Sequence, residues 1–450
     1  MKRLSCVLAI ILTLCVLLSA CAGDTGGTAG SDSSAETNTG GGPGGMPPGG
    51  AGDTELTYTA GTEISTAESQ SGQTYLSTAA DENALLIDTS DFVSVSVPTV
   101  SKTGGSDGGD KCCFYGLNAA VLVKGGTMTS IAGGTVTSDA NGANGVFSYG
   151  GNGGQNGAAG DGTTVIISDT AITTTGDGSG GIMTTGGGVT RASNLNVFTS
   201  GRSSAAIRTD RGGGTVTVDG GTYTTNGLGS PAIYSTADVS AANASLVSNL
   251  SEGVVIEGKN SITLTNCDLT ANNTQCNGKA AFLDTVMIYQ SMSGDADSGT
   301  SSFIMTGGRL TSKNGHVFHV TNTNAVIKLR DVRIINEDSD QILLSVCADG
   351  WSGAGNVATL NAAAQALSGA ILVGSDSTLA LTLTNMSSFE GRIGGNIVDA
   401  SGQTVSTEAG TAIVTLDSAS TWTLTGDSYI TSFSGDAENV IGNGYTLYVT

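Results

Sequence analysis

Positive charge is the scarcest feature of this sequence. The 450 residues include 17 Lys and Arg against 39 Asp and Glu, which gives a formal net charge of -22. A nucleic-acid-binding surface needs clustered Lys and Arg to neutralise phosphates, so the sequence predicts no nucleic-acid partner. Charged residues of both signs make up only 12% of the chain and apolar residues 38%, which excludes a disordered polyanion.

Helical periodicity, proline and aromatic residues are also scarce. The best helical pattern, at residues 358–367, is short. The chain has 5 Pro and 5% aromatic residues, but 69 Gly and abundant Val, Ile and Thr. Because β-branched residues favour strands and Gly favours tight turns, the composition predicts an all-β protein.

The N-terminus has the pattern of an export signal. Lys2 and Arg3 form a basic region, residues 4–18 are mostly apolar, and residues 18–21 read Leu-Ser-Ala-Cys. This tetrapeptide resembles the lipobox of bacterial lipoproteins, which implies cleavage before Cys21 and lipid attachment to its sulfur. The apolar run is shorter than the ~20 residues that a transmembrane helix needs. We therefore expect an exported protein, anchored by lipid at the extracellular face of the cell membrane.

A short pattern recurs through the rest of the chain. An apolar or Thr strand is followed by Asn, Asp or Gly, and an apolar residue comes three positions later. The clear copies centre on Asp169, Asn194, Gly220, Asn243, Asn266, Gly307 and Asp331. From Asp169 to Asn266 the spacings are 25, 26, 23 and 23 residues. A second marker is an apolar strand at Ile182, Ile207, Ile233, Ile256, Ile288 and Phe318.

This repeat predicts the fold. Coils of ~24 residues, with two or three short strands separated by left-handed bends, fit a right-handed single-stranded parallel β-helix of about ten or eleven coils. The rival fold is an antiparallel sandwich, which predicts hairpin dipeptides every ~8–12 residues. The single in-phase repeat and the low proline content favour the β-helix.

The same features divide the chain into parts. We expect a signal peptide at 1–20, then a lipidated cysteine with a Gly/Ser/Thr/Pro-rich flexible linker at 21–52. Residues 53–110 are expected to form an N-terminal capping region with the first strands, and 111–450 the β-helix domain. The ends of the rod must be capped, and residues 85–100 and 442–450 are the candidates.

The repeats resemble the pectin-lyase-like superfamily over about residues 85–450, in particular surface lipoproteins of Gram-positive bacteria that are adhesin-like or carbohydrate-binding. For a polygalacturonase-like member the resemblance implies an Asn-Thr-Asp element, an Asp pair, Gly-His-Gly and Arg-Ile-Lys. Two acids are needed because one protonates the leaving oxygen while the other activates water. This chain has Gly315-His316 without the second Gly, and Arg333-Ile334 without the Lys. We therefore predict a protein that is not an enzyme.

The second marker also predicts a binding face. If the marker residues point inward, the residues after them point outward. This gives one outward residue per coil: Met183, Arg208, Tyr234, Glu257, Tyr289 and His319. Aromatic rings among charged groups suit an extended polysaccharide, although an ordinary solvated face is the alternative. The candidate ligand-binding residues are Arg208, Asp210, Arg211, Tyr234, Glu257, Tyr289 and His319.

Four smaller predictions concern single residues and small clusters. The Arg and Asp residues at 208–211 also fit a structural ion-pair cluster, and Trp422 fits the inward stripe. Asp295 and Asp297 offer oxygen ligands for calcium, with solvated turns as the alternative and no other cofactor expected. His316 and His319, the two histidines of the chain, are three residues apart, which predicts opposite faces of a strand and no paired metal site.

Cysteine pairing stays open at this stage. After export and lipidation, the remaining cysteines are Cys112, Cys113, Cys267, Cys276 and Cys347. Proximity allows a Cys112–Cys113 ring or a Cys267–Cys276 bridge, and connectivity does not follow from sequence.

The functional prediction is a non-catalytic surface lipoprotein, adhesin-like or polysaccharide-binding. Its partners would be the membrane, through the lipid, and an extracellular polysaccharide or a host or cell-surface glycan. One alternative is an anchored lyase or hydrolase of uronate-rich glycans, which requires carboxylates and Arg clustered on one face. The other is a purely structural surface rod.

Overall fold

The computed structural model describes residues 56–152 and 159–450. The chain winds through short strands that lie on three faces and follow one another in the same order in successive coils. The predicted signal peptide, Cys21 and the linker lie outside the described residues. None of the helices in the described ranges is long and apolar enough to cross a membrane.

The first face, called sheet A, is a thirteen-stranded parallel sheet. Its strands are Thr59–Ile64, Glu82–Asp88, Val121–Lys124, Val146–Tyr149, Ile182–Thr185, Ile207–Thr209, Ile233–Ser235, Val254–Glu257, Asp284–Tyr289, His316–Thr321, Ile342–Val346, Ala370–Val373 and Ile393–Gly394. The second face, sheet B, has fourteen strands. They are Glu68–Ser71, Val93–Ser96, Met128–Ala132, Thr164–Ser168, Gly188–Ser193, Gly214–Asp219, Asp238–Ala242, Ser261–Thr265, Thr300–Thr306, Thr323–Arg330, Asn356–Ala363, Ser377–Thr384, Thr411–Leu416 and Ser432–Ser434.

The third face, sheet C, has ten strands. They are Thr74–Ser77, Thr99–Lys102, Thr135–Ser138, Ala171–Thr174, Asn196–Thr199, Thr222–Thr225, Ser245–Ser248, Asp268–Ala271, Arg309–Ser312 and Arg333–Asn336. A four-stranded sheet follows it along the chain, with strands Ala366–Ser368, Ser388–Gly391, Thr421–Leu424 and Val440–Ile441. The remaining elements are two strand pairs, Ile397–Val398 with Thr404–Ser406 and Ser428–Ile430 with Leu447–Val449, the α-helix Asp110–Tyr115 and the 3-10 helix Ala437–Asn439.

The predicted single-stranded parallel β-helix is confirmed, and the antiparallel sandwich is wrong. The number of coils exceeds the expected ten or eleven, because sheets A and B contain thirteen and fourteen strands. The additional coils come from residues 59–102, whose strands extend all three faces. Residues 85–100, expected at the end of the rod, therefore lie inside it, next to a preceding coil.

The bends follow the sequence marker. Asp169, Asn194, Asn243, Asn266 and Asp331 have φ values from 50° to 56°. This left-handed region is strained for most residues, but Asn and Asp tolerate it because their short polar side chains bond locally. These bend residues also contact one another between neighbouring coils: the side-chain amide of Asn194 donates to Asp169 Oδ1 at 2.7 Å.

The core is one continuous apolar column inside the rod. The marker residues Ile182, Ile207, Ile233, Ile256, Ile288 and Phe318 are all at most 1% exposed. They point inward, as predicted. Trp422 is also fully buried, which confirms it as a core residue.

Part of the glycine content has a separate physical cause, the close approach of successive coils at one corner. A Cβ atom on Gly201 would lie 1.8 Å from the carbonyl oxygen of Gly176, and one on Gly227 would lie 1.8 Å from that of Gly201. Only a residue without a side chain allows the backbones to stack at this distance.

We expect Gly201→Ala to lower the free energy of unfolding by about 1–3 kcal/mol, the usual range for overpacking. The added methyl group meets backbone atoms, which cannot move aside without separating two coils. Urea unfolding of the variant and of a Gly105→Ala control measures the effect, because a Cβ on exposed Gly105 would have its nearest contact at 3.6 Å. Equal midpoints for the two variants would contradict the steric explanation.

Candidate functional site

A cleft of about 510 Å³ opens on the outer side of sheet A. Its floor includes residues of four neighbouring strands: Arg208, Tyr234, Val255, Glu257, Met287 and Tyr289. Its walls are the helix Asp110–Tyr115, the loops around 277–280 and 291–295, and Trp351. The regular strands therefore supply the floor, and irregular segments distant in sequence enclose it.

The strand register corrects the predicted outer ladder. Met183 pairs with Arg208 and Arg208 with Tyr234, as expected, but Tyr234 pairs with Val255. Glu257 pairs with Tyr289 in a second outward row, two positions further along the strands. The error arose because side chains alternate with a period of two, so a shift by two residues leaves every side chain on the same face.

Glu257 is the centre of a hydroxyl network at the cleft floor. Its side chain is buried at 1% exposure, and its Oε2 accepts hydrogen bonds from the Tyr234 hydroxyl at 2.5 Å and the Tyr289 hydroxyl at 2.9 Å. The Ser291 hydroxyl donates to Oε1. Burial and the Glu257 charge raise the pKa of both phenols well above the usual value, so both stay protonated as donors. The network holds two aromatic rings in fixed orientations.

Arg208 and Asp210 form a buried ion pair beside this network. The guanidinium nitrogen lies 2.7 Å from Asp210 Oδ2, and both side chains are 4% exposed. Burial raises the pKa of Asp210 to about 6 although Arg208 acts to lower it. The guanidinium of Arg208 also lies 5.9 Å from the centre of the Tyr234 ring. The structural ion pair that the sequence allowed is thus present, at the edge of the cleft.

Arg211 makes the second ion pair of the cleft, with Asp295 at 2.7 Å. Its guanidinium carbon lies 4.2 Å from the centre of the Phe114 ring. The pKa of Asp110, on the same helix as Phe114, is raised by burial, while the Arg211 charge opposes the shift. Arg211 therefore joins the short helix to the loop that carries Asp295, and closes one side of the cleft.

Several lining residues were not predicted from sequence. They are Asp110, Phe114, Glu252, Lys279 and Trp351. Trp351 packs on Tyr289 with a distance of 4.8 Å between ring centres. The sequence held one signal for these residues, a tryptophan inside a Gly-rich polar loop. Such a large ring is rarely placed there without a packing partner.

His319 does not belong to the cleft lining. It is fully buried, and its ring packs 4.6 Å from that of Phe282. Its Nδ1 and the Nδ1 of His316 both lie 2.7 Å from the Ser345 hydroxyl oxygen. The prediction that the two histidines face opposite sides is wrong, because His316 begins its strand, where the chain turns at a corner and strict alternation does not yet hold.

The calcium prediction for Asp295 and Asp297 does not fit the geometry. Asp295 is paired with Arg211, and Asp297 lies 2.8 Å from Lys259 Nζ. Across 56–152 and 159–450 no group of three or more His, Cys, Asp or Glu side chains is arranged to hold a metal ion. The two acids serve as ion-pair partners instead.

Neither cysteine pair allowed by the sequence forms. Cys112, Cys267, Cys276 and Cys347 are free thiols. Burial raises the pKa of the Cys267, Cys276 and Cys347 thiols, so these groups stay neutral and weakly reactive.

Comparison of the chain with protein-family models, with curated proteins and with solved structures gives no match. A parallel β-helix supports many activities, so the fold does not assign a function. The chemistry of the cleft is therefore the basis for any functional inference.

Proposed function

We propose that this chain is a non-catalytic, carbohydrate-binding surface lipoprotein of the pectin-lyase-like type. It is exported, held at the extracellular face of the membrane by lipid on Cys21, and binds an extracellular polysaccharide or a cell-surface glycan in the cleft on sheet A. The observation that carries the proposal is the network in which Glu257 fixes Tyr234 and Tyr289 beside Trp351.

The cleft has the features that sugar recognition needs. Aromatic faces pack against the C–H groups of sugar rings, and oriented hydroxyl and charged groups select the sugar hydroxyls. Because Tyr234 and Tyr289 are already held by Glu257, their ordering is complete before a ligand arrives, which reduces the entropy lost on binding. A volume of about 510 Å³ is within the range of small-ligand sites and accommodates a short stretch of oligosaccharide.

The predicted N-terminal segment supports a role at the cell surface. The sequence predicts a linker over 21–52, and a flexible coil of that length would have an end-to-end distance of ~30 Å. Attachment of two acyl chains at Cys21 gives stable anchoring, whereas one chain binds only marginally. The rod would stand clear of the headgroups, with the cleft open to soluble or cell-bound glycans.

Trp351→Ala is expected to weaken glycan binding about tenfold, which corresponds to ~1.4 kcal/mol of lost stacking. A glycan array identifies the ligand, and titration calorimetry on the full chain in detergent measures its affinity. Tyr445→Ala is the control, because that tyrosine is 46% exposed and lies outside the cleft lining. Equal affinities of Trp351→Ala and wild type would contradict the proposal that the cleft binds the glycan.

An enzyme acting in the same cleft is the second candidate. A lyase or hydrolase of uronate-rich glycans requires carboxylates and Arg clustered on one face. The cleft is lined by such residues: Asp110, Glu252, Glu257, Asp295, Arg208 and Arg211. An acid with a raised pKa, such as Asp110, has the property of a proton donor. New reducing ends or unsaturated products from uronate polymers, lost in Asp110→Asn, would establish this candidate. A chain that binds no glycan and releases no product would be a structural rod.

A further inference from the structure

We infer that the cleft selects an amino sugar, an oligosaccharide that carries a free protonated amine, through the negative charge of Glu257 and the faces of Tyr289 and Trp351. This inference rests on the proposed carbohydrate-binding function and names the chemical class of the ligand. It differs from the uronate-rich glycans that the sequence suggested for an enzyme.

Glu257 and the two arginines of the cleft differ in the charge of their partners. Arg208 and Arg211 are each bonded to a carboxylate at 2.7 Å. Glu257 is bonded by the hydroxyls of Tyr234, Tyr289 and Ser291 instead, and no Lys, Arg or His of the described ranges forms an ion pair with it. A buried carboxylate is most stable when an opposite charge lies nearby. A ligand ammonium group would supply that charge.

The side chains around the cleft include more carboxylates than cations. The carboxylates are Asp110, Asp210, Glu252, Glu257 and Asp295, and the cations are Arg208, Arg211 and Lys279. Burial raises the pKa of Asp110, Asp210 and Glu252, and that of Asp210 reaches about 6. Both arginines are already paired, so Lys279, which is exposed, is the cation that the described lining residues leave for a uronate carboxylate. The site therefore disfavours acidic sugars.

An aromatic surface lies next to Glu257. The rings of Tyr289 and Trp351 have centres 4.8 Å apart and are inclined at 59°. A cation over the faces of such rings is attracted to them, and the attraction is stronger when the cation is desolvated. Val255 and Met287, which form a small apolar cluster with Tyr289, offer a surface for the C–H face of the sugar ring. Charge and aromatic faces thus converge on one position.

The test compares glucosamine oligosaccharides with their fully N-acetylated forms, which share the ring and the linkage but lack the positive charge. Titration calorimetry uses the full chain in detergent at ~0.15 M salt, where charges beyond ~8 Å are largely screened. The expected result is at least a tenfold preference for the free amine. Glu257→Gln should abolish this preference, because its amide oxygen still accepts the two tyrosine hydroxyl bonds and its amide nitrogen can donate to Ser291, while the negative charge is lost.

Asp297→Asn is the matched control, because it removes an equal charge from a side chain outside the cleft lining. It should keep the preference, which separates recognition by Glu257 from general attraction to an acidic protein. A second measurement needs no variant and so does not depend on the folding of Glu257→Gln. The wild-type preference should vanish as rising pH deprotonates the ligand amine.

Two results would overturn the inference and leave the proposed function intact. They are equal or tighter binding of the N-acetylated or the galacturonate oligosaccharides, and an unchanged preference in a folded Glu257→Gln variant. Failure of the wild type to bind any sugar on a glycan array would instead overturn the proposed function, and this inference with it.

Discussion

Trp422→Ala is expected to lower the free energy of unfolding by about 3–5 kcal/mol, the range for truncating a fully buried large aromatic side chain. The ring is 0% exposed and lies 5.7 Å from the Phe389 ring in a stacked arrangement. Its Nε1 donates to the Gly391 carbonyl at 3.0 Å. The substitution therefore leaves both a cavity and a buried carbonyl without its donor.

Hydrogen exchange and thermal unfolding measure this effect. In a solenoid each coil contacts its neighbours, so the loss of protection should concentrate in the coils around Phe389, Trp422 and Val440. Tyr445→Ala, at 46% exposure in the same end of the chain, should change stability far less. Equal melting temperatures of the two variants would show that Trp422 does not stabilise these coils.

Acidification from pH 7 to pH 4 is expected to remove about 3 kcal/mol of stability through His316. Burial, with a contribution from the charge of His319, lowers the pKa of His316 from 6.5 to about 3. The unfolded chain therefore takes up a proton on this residue between about pH 6.5 and pH 3 while the folded chain does not. The stabilising contribution is present above pH 6.5 and is lost as the pH falls.

The difference between wild type and His316→Gln isolates this contribution. Burial raises the pKa of Asp210, Glu252 and Asp284, and these groups act in the opposite direction, because folding then favours their protonated forms at low pH. The stability difference from urea unfolding should shrink by about 3 kcal/mol between pH 7 and pH 4. A difference independent of pH would show that His316 titrates normally in the folded chain.

The fold could be predicted from the sequence because each coil imposes its requirements on residues close together in the chain. Each bend needs a residue that tolerates positive φ, and Asp169 and Asn194 mark two of the bends with values of 52° and 53°. Each core position needs an apolar residue at a fixed offset, as Ile207 and Ile233 show. The coils at 59–102 were missed because their bends use other residues, among them Val97 with a φ of 48°.

The segment 358–367 shows the limit of helical propensity. Its alanines suggested a short helix, yet Asn356–Ala363 is a strand of sheet B with alternate residues buried. Small side chains at Ala358 and Ala362 face the core, where the neighbouring strand supplies leucines at the paired positions Leu379 and Leu383. Tertiary packing here overrides the weak preference of alanine for helices.

The cleft could be predicted only in part. Arg208, Tyr234 and Tyr289 were found because they follow inward markers along regular strands. Glu257 and Tyr289 were both placed in the wrong row, because a shift of two residues along a strand is invisible to a pattern with a period of two.

The amino-acid order alone was sufficient for what repeats every coil: the all-β class, the parallel rod, its bends and its apolar column, including Trp422. Only the tertiary structure decided the features that do not repeat from coil to coil. It brought Asp110, Trp351 and Asp295 to the same few strands, buried His319 behind Phe282, and paired each cleft arginine with a carboxylate. The physical reason is distance along the chain, because a repeat constrains neighbours in sequence, whereas a cleft depends on contacts between irregular loops that no local pattern specifies.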